Sequence, residues 1–227
     1  TTAGAPAILA AKAGHNDGHH SHTDIGHFIL NVAGESLLCD PGRGLYSKDY
    51  FRQPRYENFF CNSLSHSVPR IGGKLQMPGP EFGGKQQYHG RIVEHHPAAK
   101  EKVVSIEMQE AYAIPELRLA RRRLVFQSTT GASQLVDEFM FSGRALETEE
   151  AFVTWAQVET RGAEATLIGK SAALQLTIPE PASAVFVAES HAEDCRANQR
   201  EGVLTRLVVY LPPGTQRFAL RLEPKAV

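Results

Sequence analysis

Apolar residues along this chain recur in short runs of strand length, separated by glycine, proline and small polar residues. The runs are GHFILNV, SLLCD, EKVVSIEMQEA, RRRLVFQS, SQLVDEFMF, EEAFVTWAQVE, ATLIGKS, ALQLTIPE, SAVFVAES, GVLTRLVVYL and QRFALRLEP. Several alternate with period two, the spacing that puts successive side chains on opposite faces of a strand. Val104, Ile106 and Met108 alternate with Val103, Ser105 and Glu107, which predicts one apolar face. Phe218, Leu220 and Leu222 likewise alternate with Arg217, Ala219 and Arg221. Turn signals at GG 72–73, TTG 129–131 and PPG 212–214 fall at hairpin spacing. A 3.6-residue apolar stripe is not sustained beyond two turns anywhere. SKDYF at 47–51 and IPELR at 114–118 are the candidate helical turns. The pattern predicts an all-β chain with very little helix, folded as a large antiparallel β-sandwich, a two-layer supersandwich.

Composition narrows this reading without redirecting it. With 227 residues, 42% hydrophobic and 22% charged, the chain can bury a proper core as one large all-β unit spanning 1–227. The Pro/Gly-rich stretch MPGPEFGGKQ at 77–86 reads as an irregular excursion and not as a domain boundary. A net charge of −1 supplies no global attraction to nucleic acid or an anionic membrane, and neither is expected as a partner. No apolar run approaches the roughly 20 residues that span a bilayer. Cys39, Cys61 and Cys195 are too few and too scattered for a disulfide framework and read as small buried hydrophobes. The opening TTAGAPAILAAKAG lacks an initiating methionine, which suggests a piece of a longer chain. The compartment, cytoplasmic or periplasmic and secreted, stays open.

Candidate chemistry concentrates in GHHSHTDIGHF, where His19, His20, His22, Asp24 and His27 fall within nine positions of a chain with ten histidines. The run is too interrupted for an expression tag and leads directly into an apolar strand. A solvated polar loop and a chemical site both remain. If the stretch is extended, His20, His22 and Asp24 share one face, and an H-x-H pair on a strand is a common start to a metal site. The hairpin FILNV–AGE–SLLCD would return Asp40 to the start of its first strand. Asp40 precedes Pro41-Gly42, so turn former and ligand are both open for it. His66, in SLSHSVP ahead of the strand-like SVPRI, offers another imidazole. Two histidines and an aspartate make a mixed N/O donor set that suits zinc and leaves one position for water.

His20-Ser-His22-Thr-Asp24-Ile-Gly26-His-Phe28, Leu38-Cys-Asp40-Pro-Gly42, Arg55-Tyr56 and His66-Ser-Val-Pro followed by Gly73 and Gln76 together resemble the heparinase II/III-like polysaccharide lyases. The likeness runs over about residues 5 to 80; beyond residue 90 only the β pattern supports it. The resemblance implies the C-terminal β-sandwich of a two-part enzyme, with an α-helical toroid preceding it and the substrate cleft between the two. It implies that His22, Asp40 and His66 bind Zn2+, which holds the sandwich loops in place. His20 would face the cleft, neutralising a uronic acid carboxylate or assisting proton transfer, and Tyr56 lies near a second cleft tyrosine of some members. The partners implied are an acidic polysaccharide or oligosaccharide and the N-terminal helical domain, which this chain lacks. His27 departs from the family, where small residues are usual, and is expected to cover the opposite face of its strand.

In such a lyase, the C5 proton of a uronic acid is removed and the 4-linked sugar expelled, so this segment alone is expected to be inactive. Arg43, Arg52 and Arg55 could draw in an acidic sugar chain or be ordinary surface charges. Arg121, Arg122 and Arg123 read as a sheet-surface patch and Trp155 as core. Two other readings compete. A cupin-like metalloenzyme would prefer a glutamate three or four residues after H-x-H, where this chain has Ile25 and Gly26. A non-catalytic carbohydrate-binding sandwich would need exposed aromatic platforms.

Overall fold

The computed structural model describes residues 6–18, 20–79 and 86–226. His19 and most of the 77–86 excursion therefore lie outside the described residues. In chain order the strands are β1 (Ala7–Ala11), β2 (Gly14–His15), β3 (Phe28–Val32), β4 (Glu35–Leu38), β5 (Arg70–Ile71), β6 (His89–Pro97), β7 (Glu101–Glu107) and β8 (Leu117–Gln127). They continue as β9 (Ser133–Phe141), β10 (Thr148–Thr154), β11 (Gln157–Arg161), β12 (Glu164–Ile168), β13 (Ala172–Glu180), β14 (Val187–Ser190), β15 (Thr205–Leu211) and β16 (Arg217–Ala226). Short 3-10 turns fill the stretch between β4 and β5, and α1 (Ala192–Ala197) is the one α-helix among the described residues.

The strands form a nine-stranded sheet, β11-β12-β13-β16-β9-β8-β7-β6-β2, a four-stranded sheet, β14-β15-β10-β5, and a three-stranded sheet, β1-β3-β4. Every pairing is antiparallel. The main core joins side chains from all three: Phe28, Leu30 and Leu37 from the small sheet, Phe152, Leu207 and Val209 from the middle one, and Leu124, Leu135, Leu174 and Phe218 from the large one. The all-β sandwich is thus the observed architecture. β16 keeps its expected alternation, with Phe218, Leu220 and Leu222 fully buried and Arg217 and Arg221 exposed. β7 does not. Val103 and Ser105 are buried as well as Ile106, and the Ser105 hydroxyl donates to Glu94, which also accepts from Arg123 Nε.

Other differences have local causes. The SKDYF turn is found as a 3-10 turn at Asp49–Phe51, whereas Pro115 and Glu116 form a plain turn leading into β8. β1, β2 and β6 lie outside the recognised strand runs. β6, HGRIVEHHP, is an edge-side strand with most residues exposed, so it lacks the apolar alternation that marks a half-buried strand. EEAFVTWAQVE is two strands, because Thr154 Oγ1 accepts from Ala156 N and breaks the run at Trp155. Trp155 packs, partly buried, on Phe60 with ring centroids 6.3 Å apart. Cys39, Cys61 and Cys195 are all free and buried.

The arginine triplet requires a correction. Arg121 and Arg123 point outward to Glu107 and Glu94, but Arg122 points inward and is completely buried. Its Nε lies 3.0 Å from Asp137 Oδ1, directly across the β8–β9 ladder, and its Nη2 lies 3.1 Å from Glu150 Oε2 on β10 of the opposing sheet. Nη1 donates to the carbonyls of Gly26 (2.9 Å) and Ser67 (2.5 Å), which belong to the two loops carrying His22 and His66. Alternation did predict that Arg122 opposes its neighbours; it did not say which face the core would take.

One guanidinium between two buried carboxylates leaves one negative charge without a counterion. Burial, reinforced by the Asp137 charge, pushes the Glu150 carboxyl well above its ordinary 4.5. Two outcomes follow. Arg122→Leu strands both carboxylates and is expected to cost about 3–5 kcal/mol in denaturant unfolding at pH 7. Folded Glu150 keeps a proton that the unfolded chain releases near 4.5, so its contribution to stability declines as pH rises from there toward its folded-state value. Glu150→Gln is expected to flatten that decline, and wild-type and variant melting curves measured from pH 5 to 9 should converge at the acidic end.

Candidate metal centre

The H-x-H segment is not a strand. His20 sits at φ +61°, residues 21–27 are irregular apart from a turn at Ile25 and Gly26, and β3 begins only at Phe28. The expected shared face for His20, His22 and Asp24 is therefore wrong. The reason lies in the hydrogen bonding of residues 23–27, which is spent on loops and on buried side chains. Thr23 N donates to Cys61 O, and its carbonyl accepts from Ser63 Oγ at 2.7 Å. Asp24 is buried and paired with Lys12. Ile25 is bracketed by Gln76, whose Oε1 accepts from its N–H (2.8 Å) and whose Nε2 donates to its carbonyl (2.6 Å). A single buried amide thus does the work of a neighbouring strand.

Gly26 takes φ +87°, and a Cβ there would lie 2.5 Å from Met108 Sδ. Its N–H donates to Lys12 O and its carbonyl accepts from Arg122. His27 is buried beneath the site and does not cover an outer strand face. Its Nδ1 accepts from Ser67 N at 2.9 Å, and its ring meets that of His66 edge-on at 5.1 Å. Burial, then the nearby His66 and Arg122, holds it neutral.

His66 arrives from the other side, on a chain of 3-10 turns between β4 and β5. Asn58 and Asn62, four residues apart, each cap the next turn by accepting from Phe60 N and Leu64 N at 2.9 Å. His66 is fully buried, and its Nδ1 lies 2.9 Å from the Asn62 carbonyl. A carbonyl can only accept, so the hydrogen-bond network assigns the proton to Nδ1 and leaves an Nε2 lone pair. That lone pair faces His22 Nδ1 at 3.1 Å.

Asp40 follows β4, whose pairing with β3 returns the chain as the hairpin reading expects. One of its oxygens accepts from Gly42 N at 2.7 Å, so Asp40 does form the turn. It also belongs to the cluster: ligand atoms of His22, Asp40 and His66 all lie within 4.8 Å of one another, the one such group of three among the described residues. Turn former and candidate ligand coexist because a carboxylate has two oxygens.

The donor set fits a cation. Two nitrogens each roughly 2.05 Å from a tetrahedral ion lie about 3.3 Å apart, close to the observed 3.1 Å. Burial, then the neighbouring His66, lowers His22 to about 4, so it is neutral and can offer a lone pair at pH 7. The Asn62 carbonyl behind His66 is the outer partner that metal-bound imidazoles usually have.

His20 stands outside this trio. It is exposed, and its ring meets Phe51 edge-on at 5.7 Å. Tyr56 is half-buried on the Gln53–Glu57 turn, where its hydroxyl accepts from Arg55 Nη2 at 2.7 Å. Arg55 itself is buried, unlike exposed Arg43 and Arg52. Lys12, Asn62 and Ser67 escaped the sequence reading. The signal available for the last two was the polar run NSLSHS, too polar for a core strand yet without glycine or proline.

A two-layer all-antiparallel sandwich with a His/His/Asp cluster held in loops at its edge is the class of protein defined so far. The family model described as heparinase II/III-like, C-terminal matches residues 3–217, and the chain belongs to that family. Among solved structures, heparan sulfate lyase HepC from Pedobacter heparinus is similar, with a TM-score of 0.74 and 13% identity over 97% of this chain. A heparinase III structure gives 0.73 and 15% over 96%, and another 0.67 and 14% over 90%. At these identities the likeness is one of fold. The chain spans about a third of the length of those proteins, 33%, 33% and 30% respectively. No curated protein matches the sequence.

Gly26→Ala forces an L side chain into a left-handed backbone and against Met108. The expected loss is about 1–3 kcal/mol in urea unfolding, with no change in the strand signal by circular dichroism.

Proposed function

We propose that residues 1–227 are the zinc-bearing sandwich portion of a polysaccharide lyase acting on uronic-acid-containing chains by β-elimination. The observation that carries this reading is the convergence of His22, His66 and Asp40 within 4.8 Å, in a chain of the heparinase II/III-like family. His22 Nδ1, His66 Nε2 and an Asp40 oxygen would hold the ion. Mixed imidazole and carboxylate ligation favours zinc and would leave a fourth position for water. Bound there, zinc would supply cross-linking of three loops.

In the elimination, the proton leaves C5, the C4–O bond breaks, a C4–C5 double bond forms, and the departing sugar oxygen takes up a proton. The C5 proton is weakly acidic until the adjacent carboxylate is neutralised. His20, exposed beside the cluster, is suited to donate a hydrogen bond to that carboxylate, a contribution of a few kcal/mol at the developing enediolate. Tyr56, whose hydroxyl accepts from Arg55, would be the second catalytic group, and a positioned acid or base contributes roughly 10²–10⁴-fold. The remaining groups would come from an N-terminal helical domain of the longer protein, so this segment alone is incomplete.

The cupin-like alternative loses its support in the open sheets, which form no closed barrel among the described residues, and in Ile25 and Gly26 being packed inward.

Elemental analysis of the purified chain is expected to find about one zinc, lost in His22→Ala. On a uronic acid polymer, the chain alone should generate no ultraviolet-absorbing unsaturated uronide, whereas the longer protein should. Absence of zinc from the wild type would refute the metal assignment.

A further inference from the structure

The segment from Asp40 through the first 3-10 turn carries an aromatic patch that the metal centre does not use. Tyr46 is 52% exposed and Phe51 50%, although both are large apolar rings. Their centroids are 5.4 Å apart, and both pack on the buried ring of Tyr50, at 4.6 and 5.5 Å. The base is firm. Leu45 N donates to Asn198 Oδ1 at 2.9 Å, and Arg200 donates to the carbonyl of Arg43. Two rings are thus presented to solvent on a pinned loop, with little ordering left to be done on binding.

The charge around the rings has one dominant sign. The Arg43 guanidinium lies 3.9 Å over the Tyr46 ring, and Lys48 and Arg52 are exposed. Residues 43–52 hold those three cations and one acid, Asp49. At the other end, Phe51 meets exposed His20, two residues before His22. The patch therefore borders the proposed catalytic edge.

We infer that Tyr46 and Phe51, with Arg43, form a stacking subsite for a pyranose ring of an acidic glycan, adjoining His20. An aromatic face packs against the C–H face of a pyranose, and the cations take the carboxylate or sulfate on its rim. The inference deepens the proposed action on uronic acid chains and rests on it for the direction in which the glycan runs past His20.

The test is calorimetric titration of the 227-residue chain with a heparosan hexasaccharide, and with neutral chitohexaose as control. Saturable binding of the acidic sugar, weakened about three- to tenfold by Tyr46→Ala and by Phe51→Ala but kept by Tyr46→Phe, supports the subsite. Arg43→Gln should weaken binding and make it less salt-dependent. No saturable binding, equal affinity for chitohexaose, or unchanged affinity in both alanine variants overturns it. So does self-association of the wild type that Tyr46→Ala abolishes while sugar binding is unaltered, because the patch is then a protein contact. Melting temperature and zinc content, expected unchanged in these exposed variants, separate the outcome from failure of the metal assignment. Loss of zinc in His22→Ala should leave hexasaccharide binding in place.

Discussion

The architecture turns on a buried cation. Arg122 joins Asp137 on its own sheet, Glu150 on the facing sheet, and the carbonyls of Gly26 and Ser67 in the two loops that bring His22 and His66 together. Alone in an apolar core, a guanidinium would be prohibitively costly, and so would either carboxylate. Together they offset most of that cost, a proton held on Glu150 removing the charge that Arg122 does not balance, and the five donors of arginine reach four partners. A hydrophobic residue could fill the volume but could not bind two loop carbonyls, which would then be buried without partners. The ion network accordingly serves position more than raw stability, since a buried ion pair seldom outperforms good apolar packing.

Around that point the loops are over-determined. Residues 23–27 have nearly every backbone group bound: to Cys61, Ser63, Gln76, Lys12 and Arg122. His27 lies beneath His66 and holds Ser67, so the two loops are tied to each other as well as to the sheets. Such scaffolding lets irregular backbone hold two imidazoles at a fixed separation, which a free surface loop of the same composition would not. His20, three residues before this bonded stretch, lies in the open.

Much of the likeness in the N-terminal third has a physical meaning that spacing alone does not disclose. In H-x-H-x-D-x-G-x-F, Asp24 is there for Lys12, Gly26 for its left-handed turn and its clearance from Met108, and Phe28 for the core. Gln76, far along the chain, completes the motif by hydrogen bonding both polar groups of Ile25. The motif encodes a turn.

Strand-length apolar runs bounded by turn residues, several of them with period-two alternation, determined the fold class and most of the strands, because burial in a sheet and the turns between strands write themselves directly into residue order. Local order also determined that Asp40 returns beside β3, since a short hairpin leaves no other course. Exposed β6 and the inward choice of Arg122 were illegible, the first because edge strands need no apolar face, the second because a layer's covering partner is distant in sequence. Only the tertiary structure decided that the H-x-H stretch is irregular loop and not strand, and that His22 and His66, 44 residues apart, meet at 3.1 Å. That proximity comes from carbonyls bound to a single arginine on β8, and no local pattern carries such information.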